Sequence, residues 1–290
     1  MAEGYEVKPP LVALPFPVSG GWTFVGDSSN STKYPVYDSI VFYEWEFFLD
    51  RPQIAIDKEG FYGLLSVSEQ VDTLKGFEYD TLFYFGANYF GRKNGTWTNW
   101  QLQWDIPTYK IKEKPFGKVD KWFRDEARLY FWQNGKTGLF DVHWGDPIPA
   151  NYNYCRYFGN YLQSVISNVG TYVNLYLVSD GKMFGLLANR ELIVPVVATN
   201  IQFWRHGFIR YWQNGWKYLR LSDNKLIDPN GADVVIYSET SWKIFNRDRT
   251  RSTLYLNNGS TLLSGNYEDY FLLVNGKIAA RKDSSIVLLN

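Results

Sequence analysis

Apolar residues in this chain fall into short runs in which they alternate with polar or amphipathic ones at every second position. Leu129-Tyr130-Phe131-Trp132, Val173-Asn174-Leu175-Tyr176-Leu177-Val178 and Leu254-Tyr255-Leu256 are examples. Alternation at period two in aromatic and β-branched residues predicts strands with one face turned to a core. The runs are punctuated by Asn94-Gly95, Asn134-Gly135, Asn214-Gly215, Asn258-Gly259 and Asn275-Gly276, with Asp180-Gly181 as the Asp equivalent. Both central residues of a type I′ turn need positive φ, which these pairs tolerate best, so each predicts a hairpin. Helical spacing is scarce. Val119, Trp122, Phe123, Ala127 and Tyr130 fit one helix face, but the register of the hairpins assigns strands to 118–133. Asn160–Ser167 reads as a turn or two of helix.

The hairpins repeat. Phe131-Trp132-Gln133-Asn134-Gly135 returns as Tyr211-Trp212-Gln213-Asn214-Gly215, 80 residues later. Turns at Gly20, Gly60, Gly95, Gly135, Gly181, Gly215 and Gly259 lie 40, 35, 40, 46, 34 and 44 residues apart. Between them a second motif recurs: an apolar residue near a proline, then Tyr-Asp or a relative, then an apolar strand. Tyr34-Pro35-Val36-Tyr37-Asp38-Ser39-Ile40, Ile148-Pro149, Val194-Pro195 and Ile227-Asp228-Pro229 carry it, and Phe77-Glu78-Tyr79-Asp80-Thr81-Leu82 keeps the Tyr-Asp without the proline. Proline cannot donate to a central ladder, so it marks the edge between one unit and the next. A period near 40 that spans the chain predicts an all-β repeat protein, one domain over 1–290, built from about seven antiparallel units. Three or four strands per unit suit a β-propeller blade; an open β-solenoid or meander is the alternative. The last run, Ser285–Leu289, would close a ring by pairing with Trp22–Val25.

These motifs resemble the WG-containing repeat, in which a Gly-Lys turn precedes an aromatic-Gly pair and an apolar strand, followed by Ile-Pro and Tyr-Asp-x-Ile. Gly135-Lys136-Thr137-Gly138-Leu139, Gly181-Lys182-Met183-Phe184-Gly185-Leu186 and Gly60-Phe61-Tyr62-Gly63-Leu64 match it. The aromatic-Gly site reads Thr-Gly, Phe-Gly and Tyr-Gly here, in place of Trp-Gly. The resemblance implies a β-rich protein that binds or scaffolds rather than one that catalyses a reaction.

Composition narrows the picture. Trp, Tyr and Phe number 12, 22 and 20 in 290 residues, and 30 basic side chains balance 30 acidic ones. Disorder requires low hydrophobicity and high net charge, so it is excluded. A single cysteine, Cys155, excludes a disulfide scaffold and predicts a reduced, inert thiol. Repeated sheets that pack face to face absorb most of the aromatics as core. No stretch approaches the 18 or so apolar residues of a membrane span. Glu3 and Glu6 stand where a signal peptide carries positive charge. The expected location is the cytoplasm or a larger particle such as a virion. Residues 1–80 hold 13 acids and 5 bases, a balance of −8, so the remainder carries +8.

The densest candidate site is Trp204, Arg205, His206, Arg210, Trp212, Trp216 and Arg220. Residues 192–222 contain Arg205, Arg210, Lys217 and Arg220 and no acid. On a strand, Phe208, Arg210 and Trp212 share one face. Tryptophan and arginine anchor protein partners, and aromatic platforms beside amides stack sugars. Stacking aromatics with bases also suit single-stranded nucleic acid, but the zero net charge argues against it. The plain alternative is an outer strand whose aromatics pack and whose arginines point to water. Two further basic runs, Lys110–Arg128 and Lys243–Arg251, read as solvated loops. Catalytic residues are sparse. His143 and His206 stand in different repeats, and Glu44 and Glu46 read as the solvent side of a strand. No cofactor or metal is expected. The sequence therefore points to a non-catalytic protein that binds or scaffolds a macromolecule, a protein partner first. A lectin-like glycan binder comes second, and a propeller hydrolase using Glu44 and Glu46 third.

Overall fold

The computed structural model describes residues 14–25, 35–41, 52–67, 71–86, 88–105, 108–125, 127–141, 147–166 and 169–289. They form two compact units, Met1–Ala150 and Asn151–Asn290. In the first, β1 (Leu14–Val18) and β2 (Gly21–Val25) make a hairpin. Three four-stranded sheets come next. The first holds β3 (Ser39–Val41), β4 (Gln53–Ile56), β5 (Tyr62–Val67) and β6 (Val71–Tyr79). The second holds β7 (Thr81–Phe85), β8 (Asn88–Lys93), β9 (Thr96–Asp105) and β10 (Thr108–Gly117). The third holds β11 (Lys121–Arg124), β12 (Arg128–Gln133), β13 (Lys136–Asp141) and β14 (Ile148–Tyr152).

The second unit repeats the plan. One sheet contains β15 (Tyr154–Ile166), β16 (Val169–Ser179), β17 (Phe184–Ala188) and β18 (Glu191–Ala198). The next contains β19 (Asn200–Phe203), β20 (Phe208–Trp212), β21 (Trp216–Arg220) and β22 (Lys225–Ile227). Then come β23 (Val234–Ser238), β24 (Ser241–Phe245), β25 (Ser252–Leu256) and β26 (Thr261–Leu263), and a last sheet of three strands, β27 (Asp269–Leu272), β28 (Ile278–Lys282) and β29 (Ser285–Leu289). Every sheet is a meander of consecutive strands, antiparallel wherever its register is defined.

The second sequence motif has a structural job. In six of the sheets the residue just before the first strand donates its backbone N–H to a carbonyl of the second strand, while in the sheet that begins at Val234 the Asp233 carbonyl instead accepts from Phe245. Asp38 donates to Ile56, Asp80 to Arg92, Asp120 to Trp132, Asn153 to Ser179, Thr199 to Trp212 and Glu268 to Arg281. This bond sets where those six sheets begin. The prolines lie on edges: Pro115, Pro149 and Pro195 fall on β10, β14 and β18, the fourth strands of their sheets, where a missing N–H costs no ladder bond. The recurrent aromatic-Gly glycines are explained by close approach. A Cβ on Gly138 would meet the Phe131 ring at 2.2 Å, and one on Gly63 the Phe77 ring at 2.9 Å.

Within each unit successive sheets pack face to face. Ile54 and Leu64 of the first sheet meet Leu82, Tyr89 and Trp100 of the second. Phe85, Phe90 and Trp97 then meet Leu129, Phe131 and Phe140 of the third. In the second unit, Leu175, Leu186 and Val194 pack on Ile201, Ile209 and Leu219. The opposite face of that sheet, with Phe208, Tyr218 and Ile227, packs on Ile236 and Trp242. Leu254 continues the series to Tyr270 and Ala280. Aromatic rings fill these layers, as the composition predicts.

Four expectations change. Asn160–Ser167 is not helical: residues 160–166 belong to β15, where Tyr161 pairs with Val173. The Lys110–Arg128 run is not a loop, because β10, β11 and the start of β12 pass through it. Gly259 lies after the third strand of its sheet; the turn equivalent to Gly135 there is 246–251, which carries most of the Lys243–Arg251 run. Lys243 itself is buried, and its ammonium lies 2.9 Å from Asp269, tying two sheets together. β2, the segment expected to close a ring, pairs along its length with β1, and Trp22 exchanges two backbone bonds with Tyr37 on its other side.

Candidate functional site

The predicted cluster lies on the sheet of β19–β22. Its register places Gln202 opposite Arg210 and Arg210 opposite Tyr218, while Asn200, Trp212 and Trp216 line up at the far end. Alternation thus puts Asn200, Gln202, Phe208, Arg210, Trp212, Trp216, Tyr218 and Arg220 on one face. The buried part of that face, Phe208 and Tyr218, packs on the next sheet. The rest remains open.

Arg210 is the centre of the open part. Its guanidinium carbon lies 3.7 Å from the centroid of Trp204 and 4.1 Å from that of Trp216. Two of its N–H groups donate to Gln202 Oε1, at 2.9 and 2.7 Å. A planar cation held between two indoles and forked onto an amide is fixed in position and orientation. Trp212 stands edge-on to Trp216, with ring centroids 5.4 Å apart. It is 41% exposed, the largest side chain of the sheet left so open. Beneath, burial pushes the Tyr218 hydroxyl above its ordinary pKa, while the charge of Arg210 pulls the other way.

The seven predicted residues divide into three groups. Trp204, Arg210, Trp212 and Trp216 come together. Arg205 and His206 are exposed in the turn that precedes β20, at the opposite end of that strand from Trp212. Arg220 leaves the surface altogether. It is 2% exposed, forks onto both oxygens of Asp223 at 2.9 and 2.6 Å, and donates to the Glu239 carbonyl and to Asn258 Oδ1, each at 2.6 Å. Its position opposite Phe208 turns it into the sheet interface, where only a cation with several acceptors is stable. That pairing holds the Asp223 carboxyl below its ordinary pKa.

The acid-free stretch is also not acid-free in space. Lys217 forms a 2.8 Å ion pair with Asp228, which raises the ammonium pKa and lowers that of the carboxyl. Arg249 pairs with Asp233 beyond it. Lys217 and Asp228, however, lie beside Tyr211 on the opposite face of the sheet, so the open surface is aromatic around the Arg210 guanidinium. Sequence reasoning missed Gln202 and Asp228. Gln202 was accessible: counting outward from the Arg205-His206-Gly207 turn sets it opposite Arg210.

Other candidates contribute less. Glu44, Glu46, Tyr43, Trp45, Phe47 and Phe48 lie outside the described residues, as do His143 and Asp146. Among the described residues no group of three or more His, Cys, Asp or Glu is placed to hold a metal. No helix there is long and apolar enough to cross a membrane. Cys155 is buried, and burial pushes its thiol up to about 12, which keeps it protonated and unreactive at neutral pH.

No protein-family model matches the chain. No curated protein matches it either. Among solved structures, it is similar to the computationally designed Ika8 protein at 9% identity and a TM-score of 0.23, with 98% of this chain and 97% of that one covered. Hsv2 of Kluyveromyces lactis aligns at 8% identity and a TM-score of 0.25, covering 87% and 94% of the two chains. The CNH domain of AfRom2 aligns at 10% and 0.26, covering 82% and 91%. Scores of this size define neither fold nor function.

Proposed function

We propose that this chain is a non-catalytic β-repeat protein that binds another macromolecule, in a scaffold or assembly role, and that a protein partner docks on the surface formed by Trp204, Arg210, Trp212 and Trp216. The observation that carries this reading is the fixed Trp204–Arg210–Trp216 stack beside the exposed Trp212. Tryptophan and arginine are the residues that dominate binding energy at protein interfaces, and side chains already immobilised lose little entropy when a partner arrives. Trp212→Ala removes the exposed anchor and leaves the stack in place. In a pull-down from the native source it should lose a partner that the unaltered chain captures. Equal capture by both would show that the surface is idle.

A glycan is the second reading. It is favoured by Asn200, an exposed amide that lies opposite Trp212 in the register and so beside its open ring. A glycan array without hits removes it.

In the finer architecture of this proposal the sheets succeed one another around a closed ring as propeller blades, and the units are degenerate WG repeats. The repeat length and the face-to-face packing inside each unit support that arrangement. Small-angle scattering tests it, and an elongated profile overturns the ring in favour of an open solenoid. The cytoplasm, or a larger particle, is the location that this reading assigns.

A further inference from the structure

The surface around Trp212 continues onto the next sheet. The turn 213–215 meets the connection 228–233 that leads there: a Cβ on Gly215 would lie 4.0 Å from the Gly231 nitrogen. That connection is joined in turn to the loop 246–251 between β24 and β25. The Asn230 carbonyl accepts from the Arg247 guanidinium at 3.3 Å, the Asp233 carbonyl accepts from the Phe245 N–H, and the Asp233 carboxylate pairs with Arg249. Turn, connection and loop therefore form one shelf at the open end of the seam between the two sheets. Register aims a further arginine at it. The Arg251 carbonyl accepts from the Asn246 N–H, one step beyond the pair of Phe245 with Ser252, so alternation sets Arg251 on the face of Thr253 and Tyr255. Tyr255 packs on the same cluster as Trp204 and Trp216.

The loop holds its arginines in place. The Arg249 N–H donates to the Asn246 carbonyl, and the Arg251 N–H to Asn246 Oδ1 at 2.8 Å. Asp248 Oδ1 accepts from the N–H and the hydroxyl of Thr250, at 3.0 and 2.6 Å. Arg249 sits at φ 57°, a left-handed conformation that persists only where its surroundings fix it. Both carboxylates of the shelf are thus engaged, Asp248 inside the loop and Asp233 by Arg249. Arg247, Arg249 and Arg251 are all exposed, and among the described residues neither Arg247 nor Arg251 has a carboxylate partner. Arg210 is held by an amide and two indoles, with its charge uncompensated. Positive charge is therefore in excess beside the open ring of Trp212.

We propose that the partner presents an acidic peptide segment, in which an apolar side chain covers Trp212 and flanking aspartates or glutamates meet Arg247 and Arg251. This rests on the reading of Trp212 as a docking anchor. Charge complementarity across the shelf selects the segment, and arginine forks match carboxylates in two-bond pairs. Loop and stack are fixed before the segment arrives, so little side-chain freedom is lost on docking. The excess of charge is small and local. It suits a few carboxylates and not the phosphate at every nucleotide of a single nucleic-acid strand.

Fluorescence anisotropy with the full chain and labelled probes tests this. The probes are a short peptide in which glutamates flank a central Leu-Pro-Leu, the same peptide with glutamines instead, and an oligothymidylate of equal length. The glutamate peptide should bind, and added salt should weaken it. Glutamine in the peptide, Arg247→Gln with Arg251→Gln, and Trp212→Ala should each weaken binding by about tenfold or more. The double variant removes exposed charges and should melt with the unaltered chain. Arg251→Gln alone, which leaves the Arg247 bond to Asn230 in place, should show part of the loss if the double variant folds poorly. Equal binding of both peptides that Trp212→Ala abolishes would overturn the acidic segment and leave the anchor standing. Binding of the glutamate peptide that is indifferent to Trp212→Ala would overturn both. No binding of that peptide up to about 1 mM, or tighter binding of the oligothymidylate, would overturn the acidic segment, while the capture experiment with Trp212→Ala still decides the anchor.

Discussion

Phe131-Trp132-Gln133-Asn134-Gly135 and Tyr211-Trp212-Gln213-Asn214-Gly215 are nearly the same five residues, placed alike in their sheets, and they fold differently. In the first, Gln133 pairs with Lys136 and the loop is Asn134-Gly135, both at positive φ (51° and 72°), as a type I′ turn requires. In the second, Trp212 pairs with Trp216, and the loop lengthens to three residues with Gly215 at φ 149°. The leading aromatic is core in both: Phe131 is 1% exposed and Tyr211 4%. The tryptophans part ways. Trp132 is half-buried beneath the ammonium of Lys121, 5.3 Å from its ring, whereas Trp212 stands open beside Trp216. The residues after the turn decide the outcome. Lys136 and Thr137 let the first copy close tightly, while Trp216 offers the second an aromatic cross-strand partner. One repeat motif thus supplies a core aromatic to both sheets, but holds its tryptophan half-buried under a lysine in one and leaves it open in the other.

The largest effects should appear where the two copies agree. Phe131→Ala and Tyr211→Ala each open a cavity in a packed layer and should cost about 3–5 kcal/mol in denaturant unfolding. If Tyr211→Ala were nearly neutral, the second copy would not be a true core repeat. Asp269→Ala should cost a similar ~3–5 kcal/mol, because it strands the buried Lys243 ammonium. Lys243→Met with Asp269→Leu should recover much of that loss, since an apolar pair leaves no buried charge.

Smaller effects separate the copies. Trp216→Ala removes the edge-on partner of Trp212 and one face of the Arg210 stack, so it should cost about 1–3 kcal/mol and free Arg210. Trp212→Ala, at an exposed ring, should stay near ~1 kcal/mol. The Lys217–Asp228 pair is partly exposed and worth less than ~1 kcal/mol. Its sign is set by two shifts. The Asp228 carboxyl is lowered, so its contribution is present above the ordinary aspartate value and is lost as pH falls through the folded one. The Lys217 ammonium is raised, so its contribution is present below the ordinary lysine value and is lost as pH rises through the folded one. Asp228→Asn should therefore flatten a slight loss of stability on the acid side. Cys155 should resist alkylation in the native state at about pH 8 and react on unfolding.

Much of this is legible in the sequence. Period two, the Gly-centred turns and the 40-residue spacing give the meander sheets, and the Tyr-Asp motif marks where each begins. The departures have local causes. Asn160–Ser167 passes for helix because β15 and β16 run long, without a proline or turn pair to delimit them. Gly259 misleads because Asn-Gly serves more than one kind of connection, and the equivalent turn at 246–251 is built from Asn246, Asp248 and Arg249 instead. Arg220 passes for a surface residue because composition cannot say which alternate residue meets the neighbouring sheet. Asp228, which balances Lys217, lies outside the acid-free window of 192–222.

If Trp212 is left open to bind a partner, parallel capture experiments with Trp212→Ala and Trp132→Ala test this most directly, because the second variant removes the half-buried tryptophan of the other copy of the motif. Trp132→Ala, although the less stable protein, should retain the captured partner, and Trp212→Ala should lose it. Retention by Trp212→Ala, or loss by both, would contradict a binding role for Trp212.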